Sequence, residues 1–293
     1  VRFARSGGEA NAIAIRIARA ATKKDKVAIC GYHGWHDWYL STNISSTSNL
    51  NDHLLPGLSS LGVPKNLEGT TIPFKYNDLE GFKKIVSENQ DLGIVKMEVS
   101  RNLGPEDNFL KEIREITSSK GIVLIFDECS SGFRETFGGL HLKFDIQPDL
   151  AMFGKALGNG YAITAVIGKQ EIMRSAQETF ISSTFWTERI GPTAALKTLE
   201  VMEKLKSWEI ITNIGKKIEQ KWIKIAEKNN LKIITGGLPA FINYKLDYRD
   251  WPKYKTYITQ EMLKNNFLAS NAVYTCIDHS DDIIENYIHN LDK

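Results

Sequence analysis

Ile122-Val123-Leu124-Ile125-Phe126-Asp127-Glu128 is an unbroken apolar run that stops on two carboxylates. A strand with one wet face alternates apolar and polar side chains, whereas a strand covered on both faces does not, so this run predicts a central strand of a parallel sheet. The sequence on either side agrees. Upstream, Ile94 to Val99 and Val27-Ala28-Ile29-Cys30 read as further short strands, separated by helical stripes at Leu79 to Val86 and at Phe109, Ile113 and Ile116. Earlier still, Ala10, Ile13, Ala14, Ile17, Ala18 and Ala21 follow helical spacing behind Ser6-Gly7-Gly8, which marks a helix with one small-residue face. Downstream, strands are expected at Leu150 to Phe153 and Ala162 to Ile167, then a long helix through Ala195, Leu199 and Met202. Strands alternating with helices predict an α/β domain, a mostly parallel sheet with helices on both faces, over residues 1–206. After Trp208 the pattern changes to a Lys-rich amphipathic helix that buries Ile211, Ile214, Ile218, Trp222 and Ile225, followed by a strand near Phe241-Ile242. A smaller α+β domain is therefore expected over 207–293. The stretch from Ser41 to Gly69, rich in Ser, Asn and Gly, reads as one long loop.

A chain of 293 residues, 42% of them hydrophobic, can bury a full core, which excludes global disorder. Its 37 basic and 35 acidic residues leave a net charge of +2 scattered along the chain. No patch argues for nucleic acid or an anionic membrane, and the expected partner is a small molecule. No apolar run approaches the roughly 18 residues of a membrane span, and the start has no signal-peptide core. Cys30, Cys129 and Cys276 are odd in number and lack any CxxC spacing, which fits a reducing compartment, the cytoplasm by default. The chain opens on Val1, and Phe3-Ala4-Arg5 already reads as the end of one element, so an N-terminal segment is expected to be missing.

In a parallel sheet, ligands bind beyond the carboxyl ends of the strands, which turns attention to polar residues that end buried runs. Asp127 is one; alone, it would be read as the cap of a turn. Lys155 is another, just past Leu150-Ala151-Met152-Phe153 and between Gly154 and Gly158. Phe153, Ala156 and Leu157 around it suggest a partly desolvated amine, and desolvation lowers a lysine's pKa and favours Schiff-base chemistry. The glycines here do not make a nucleotide loop. Asp149 and Ala156 stand where a Walker motif needs Gly and Ser or Thr, and Ile163 stands where a dinucleotide fingerprint needs its third Gly. Ser6, Gly7 and Gly8 at a helix start offer backbone N–H groups and a positive dipole end, suited to a phosphate or simply to an N-cap. Tyr32 and His33 follow a strand end, where an aromatic ring can lie on a flat cofactor. Cys30, His33 and His36 do not complete a metal site, because no second cluster supplies the remaining ligands.

Ser6-Gly7-Gly8-Glu9-Ala10, Tyr32-His33-Gly34, Leu124-Ile125-Phe126-Asp127-Glu128, Gly132-Phe133-Arg134, Pro148-Asp149-Leu150 and Gly154-Lys155-Ala156-Leu157-Gly158-Asn159-Gly160 occur in that order. The set resembles the class-III aminotransferases, nearest to glutamate semialdehyde aminomutase and its aminotransferase relatives, over residues 2 to 205 and more weakly beyond. The resemblance implies a pyridoxal 5'-phosphate (PLP) dependent transferase of fold type I with a seven-stranded type of sheet. It implies that Lys155 bonds the cofactor and Asp127 pairs with its ring nitrogen. It further implies that Gly7 and Gly8 hold the phosphate and that Tyr32 lies on the ring. Thr184 matches the threonine that reaches the phosphate of the other subunit, which implies a homodimer.

Asp127 would then keep the ring nitrogen protonated, drawing electrons from the substrate's Cα, and Lys155 would shuttle the proton: the chemistry of transamination between an amino donor and a keto or aldehyde acceptor. The chain departs from the family at several places. Cys129 and Ser130 replace the usual residues behind the ring, Val99 replaces a Pro, and Leu103 falls where a gating glutamate is common. Phe185-Trp186-Thr187-Glu188 differs from the small run of the aminomutase, which nominates Trp186 and Glu188 as substrate-site residues. An aminomutase, which returns the amino group to the same molecule, is the first alternative. A catalytically silent regulatory or assembly protein is the second; it predicts loss of Lys155 or Asp127, and both are present.

Overall fold

A computed structural model describes residues 1–53, 56–100 and 102–293. Leu54 and Leu55 of the expected long loop, and Arg101 beside Val99, lie outside the described residues. The chain divides into two compact units, one of Val1–Val99, Pro105–Phe133 and Gly138–Glu200, the other of Ser100–Gly104, Arg134–Phe137 and Val201–Lys293.

The first unit is built on β1 (Arg2–Ala4), β2 (Lys26–Cys30), β3 (Thr71–Pro73), β4 (Leu92–Glu98), β5 (Val123–Asp127), β6 (Leu150–Phe153) and β7 (Thr164–Gly168), in the spatial order β1-β7-β6-β5-β4-β2-β3. The pairs from β3 through β6 are parallel; β7 runs antiparallel to both β6 and β1. α1 (Gly7–Thr22), α2 (Asp37–Leu40), α3 (Leu79–Glu88), α4 (Phe109–Ser119) and α5 (Gln170–Arg174) connect or flank the strands, and α6 (Ile190–Leu205) follows. The expected run at 122–126 is the middle of this sheet. Val123 and Ile125 join Ile94, Leu150 and Met152 in the core under α1. Leu124 and Phe126 are equally buried on the opposite face, the side on which α4 meets β5. Burial on both faces removes the period-two pattern, and each fully buried Ile or Leu contributes about 1.5–3 kcal/mol. β1 and β3 are not legible because three-residue edge strands carry too little pattern; the strand expected at β7 is present, but its antiparallel direction is set by its pairing with β6 and β1.

Among its described residues the Ser41–Gly69 stretch contains no long element, yet it is pinned from within. Asn43 donates to the carbonyl of Leu58 at 2.7 Å and accepts from the backbone N–H of Leu50 at 3.0 Å. The second unit has α7 (Ser207–Lys228), β8 (Ile233–Leu238), β9 (Phe241–Leu246), α8 (Trp251–Lys264), β10 (Ala272–Tyr274) and α9 (Asp281–Leu291), with an antiparallel sheet ordered β10-β9-β8. Its core joins Ile218, Trp222, Ile242, Tyr244, Met262, Ile284 and Tyr287, and the Trp222 indole donates to the Tyr287 hydroxyl at 2.9 Å. Among the described residues no helix is long and apolar enough to cross a membrane.

Candidate active site

Asp127 is the last residue of β5, in register with Glu98 at the end of β4. Its carboxylate is only 5% exposed and is fully engaged on one oxygen. Oδ2 accepts from His33 Nδ1 at 2.9 Å and lies 3.9 Å from Lys96 Nζ, while Oδ1 accepts from the backbone N–H of Cys129 at 3.2 Å. Burial alone would push this carboxyl up; the Lys96 charge and the His33 hydrogen bond outweigh it and hold Asp127 well below the usual carboxylate range. His33 is completely buried, and burial takes its imidazole down to about 4 against the pull of Asp127. A neutral His33 with its proton on Nδ1 therefore donates to an ionised Asp127. Its Nε2 has no hydrogen-bond partner among the described residues.

Lys155 follows β6 directly and donates from Nζ to Ser130 Oγ at 2.6 Å, which brings the amine to the loop three residues past Asp127. Lys155 sits at φ +44°, the left-handed region, which costs a non-glycine residue about 1–2 kcal/mol. The glycines that bound it are closely packed: a Cβ at Gly154 would approach Thr164 Cγ2 to 2.9 Å and Cys129 Sγ to 3.3 Å, and one at Gly158 would meet the carbonyl oxygen of Tyr161. Lys155 is exposed, where its apolar neighbours suggested a partly desolvated amine; of those neighbours Leu157 is buried. A cleft of about 310 Å³ runs past Lys155, Arg5, Gly7, Cys129, Gly154 and Thr164. That size suits a small ligand.

Ser6 caps α1, its hydroxyl accepting from the Glu9 backbone N–H at 3.3 Å, while Glu9 accepts from the backbone N–H of Arg5 at 3.0 Å. The cap fixes where the first turn of α1 opens, and Gly7 there lines the cleft. Tyr32 is half-buried, and its backbone N–H donates to Glu98 at 3.1 Å. Thr184 opens a short 3-10 turn and is exposed. The two residues nominated for substrate are held by the strand edge: the Trp186 indole donates to the carbonyl of Phe3 at 2.9 Å, and Glu188 pairs with Arg5 at 3.0 Å. A larger cavity of about 450 Å³, lined by Lys24, Lys83, Leu92, Lys120 and Ile122 among others, lies where β4 starts and β5 is about to. It is at the wrong end of the strands for a site at their carboxyl ends and contains none of the convergent polar groups described above. Lys96, Glu98 and Arg5 escaped the sequence reading. The one signal for Lys96 was a lone charge inside the run Ile94 to Val99.

The fold that carries these residues is shared with solved transaminases. An omega-transaminase from Sphaerobacter thermophilus superposes with a TM-score of 0.82 at 22% identity, covering 99% of this chain and 72% of that one. The FumI protein of Sphingopyxis sp. MTA144 does so with 0.86 at 19% identity, covering 99% and 69%. The chain belongs to the class-III aminotransferase family, whose profile matches residues 1–249. It is 35% identical over 291 residues to a 3-aminobutyryl-CoA aminotransferase of Cloacimonas acidaminovorans, covering 95% of this chain. It is also 34% identical over 252 residues to a glutamate-1-semialdehyde 2,1-aminomutase of Sulfurisphaera tokodaii, covering 83% of this chain. The chain spans 66% and 59% of the lengths of these two relatives.

Proposed function

We propose that the protein is a PLP-dependent aminotransferase that moves an amino group from a small amino donor to a keto or aldehyde acceptor. The observation that carries this is the ionised Asp127 buried at the end of β5, with the Lys155 amine held by Ser130 three residues further on. The residues fit the cofactor: a carboxylate that stays charged in a dry site suits a protonated ring nitrogen, and an exposed amine beside a 310 Å³ cleft suits covalent attachment. PLP, when bound, supplies an electron-withdrawing ring and a carbon that accepts amino groups.

The chain's own groups then have distinct tasks. Asp127 holds a proton on the ring nitrogen, and His33 keeps Asp127 oriented by donating from Nδ1. Lys155 would hold the cofactor covalently, and its free amine would carry the proton to and from the substrate's Cα. Ser6, Gly7 and Gly8 at the start of α1 offer backbone N–H groups to the phosphate. Tyr32, Cys129 and Ser130 would supply the contacts to the faces of the ring. We assign Thr184 to the phosphate of a second subunit, so that the working unit is a homodimer; its exposed place on a short turn is compatible with that. The unpaired Cys30, Cys129 and Cys276 suit the cytoplasm. The division into a cofactor domain over 1–206 and a smaller domain over 207–293 belongs to the same reading.

In the protein supplied with PLP, borohydride should fix the cofactor on Lys155; a peptide map with the label on another lysine removes the assignment. The relative named as an aminomutase makes internal amino transfer the second reading. Mixing the loaded enzyme with one amino donor and no acceptor separates the two. One equivalent of free keto product per site supports transfer by a ping-pong route. Isomerisation of a lone amino-aldehyde or diamino compound without release supports the aminomutase.

A further inference from the structure

Lys96 occupies a position where the fold needs only an apolar side chain. It lies in mid-β4 between Ile94 and Glu98 on the face that α1 covers, opposite Ile125 in the register, and its side chain is 0% exposed. Its Nζ lies 2.9 Å from Met152 Sδ, a weak acceptor, and 3.9 Å from Asp127 Oδ2. A buried amine is costly, and a Met at 96 would fill the same space at less cost. What the amine adds is electrostatic. The titratable groups facing it are Asp127, Cys129 and Glu98, and beyond Asp127 stands His33, itself faced by His53. His33 and Lys96 converge on one oxygen of Asp127.

We propose that Lys96 is a positioning residue for the site: its buried ammonium shares the Asp127 carboxylate with the cofactor's ring nitrogen and so limits how tightly that carboxylate holds a proton on the ring. The proposal rests on the PLP reading above. Two cations on one buried carboxylate each make the other easier to deprotonate. Lys96 thus tempers the electron withdrawal that Asp127 would otherwise impose, and cofactor binding in turn loosens the Lys96 proton. The amino-group chemistry is unchanged; only the ring's charge is adjusted.

Lys96→Met tests this with readouts that packing alone does not move. In cofactor-free protein, the nitrogen-15 NMR titration of His33 should rise by about one pH unit in the variant, because a positive neighbour of Asp127 has gone. In protein loaded with nitrogen-15 labelled PLP, the ring nitrogen should keep its proton to a pH about one unit higher than in the unsubstituted enzyme. Unmoved titrations in a folded variant overturn the proposal and leave Lys96 a packing residue. If Lys96→Met does not fold, carbon-13 NMR at Lys96 Cε of the unsubstituted protein reads its charge directly. The Lys96 proton should then be lost at lower pH with PLP bound than without, and identical titrations overturn the proposal. Failure of PLP to bind overturns the functional reading and the ring half of the proposal with it. The His33 shift in free protein reports on the Lys96–Asp127–His33 coupling in either case.

Discussion

Asp127 and His33 share a buried hydrogen bond, yet burial keeps the imidazole neutral while Lys96, ahead of His33, keeps the carboxylate ionised. Asp127→Asn should leave the cofactor attached to Lys155 yet lower turnover about a hundredfold or more, since a neutral amide cannot hold the ring nitrogen protonated. Steady-state rates beside borohydride labelling check both halves, and a near-normal rate removes Asp127 from the mechanism. His33 makes a separate prediction about stability. Its folded pKa, about 4, lies below the ordinary value near 6.5, so the unfolded chain takes up the proton first as the pH falls. The stabilisation is complete above pH 6.5 and drains away toward pH 4, by about 3 kcal/mol in all. Urea unfolding of the cofactor-free protein across that window should show this slope, and His33→Gln should flatten it. Equal slopes in the two proteins would mean that His33 is not buried neutral.

At the scale of elements, close backbone approaches hold the parts in place. In α7, Gly215 lies against the turn joining β8 to β9, and a Cβ there would fall 1.6 Å from the carbonyl oxygen of Pro239. Helix propensity favours Ala over Gly by about 1 kcal/mol, while forcing a methyl into backbone costs about 1–3 kcal/mol or more. The clash wins, because backbone cannot move aside as a side-chain tip can. Gly215→Ala should therefore lower the unfolding free energy in denaturant titration; an unchanged or raised midpoint would show that α7 slides freely. The strands follow a different logic. Val123–Asp127 and Leu150–Phe153 were legible because burial on both faces leaves an uninterrupted apolar run. Arg2–Ala4 and Thr71–Pro73 were not, since an edge strand of three residues exists only through the neighbour it pairs with.

For the whole molecule, the proposed homodimer makes Thr184 and Lys155 of one site come from different chains. Phe180, Ile190 and Leu196 are exposed apolar side chains on either side of Thr184 in sequence, and a partner subunit would cover such surface. Sedimentation of the loaded protein should give two copies, and an active monomer contradicts the assignment. A sharper test mixes Lys155→Ala with Thr184→Ala subunits. Service in trans gives each mixed dimer one site with both residues intact and one with neither, so activity should return on mixing. Service within one chain leaves one defect in every site and no recovery.

Local sequence determined the strand–helix alternation, the buried strand ends and the order of the motifs, because burial, helical spacing and glycine requirements are written in neighbouring residues. Asp127 and Lys155 stood out for the same reason, each as a polar stop to an apolar run. Only the tertiary structure decided what surrounds them. Lys96 reaches Asp127 from the adjacent strand, and His33 reaches it from the loop after β2. Arg5 is tied to Glu188 from the far end of the unit's sequence. Pairings of that kind depend on strand order and register, which bring distant residues within a few ångströms and leave no periodicity for the sequence to display.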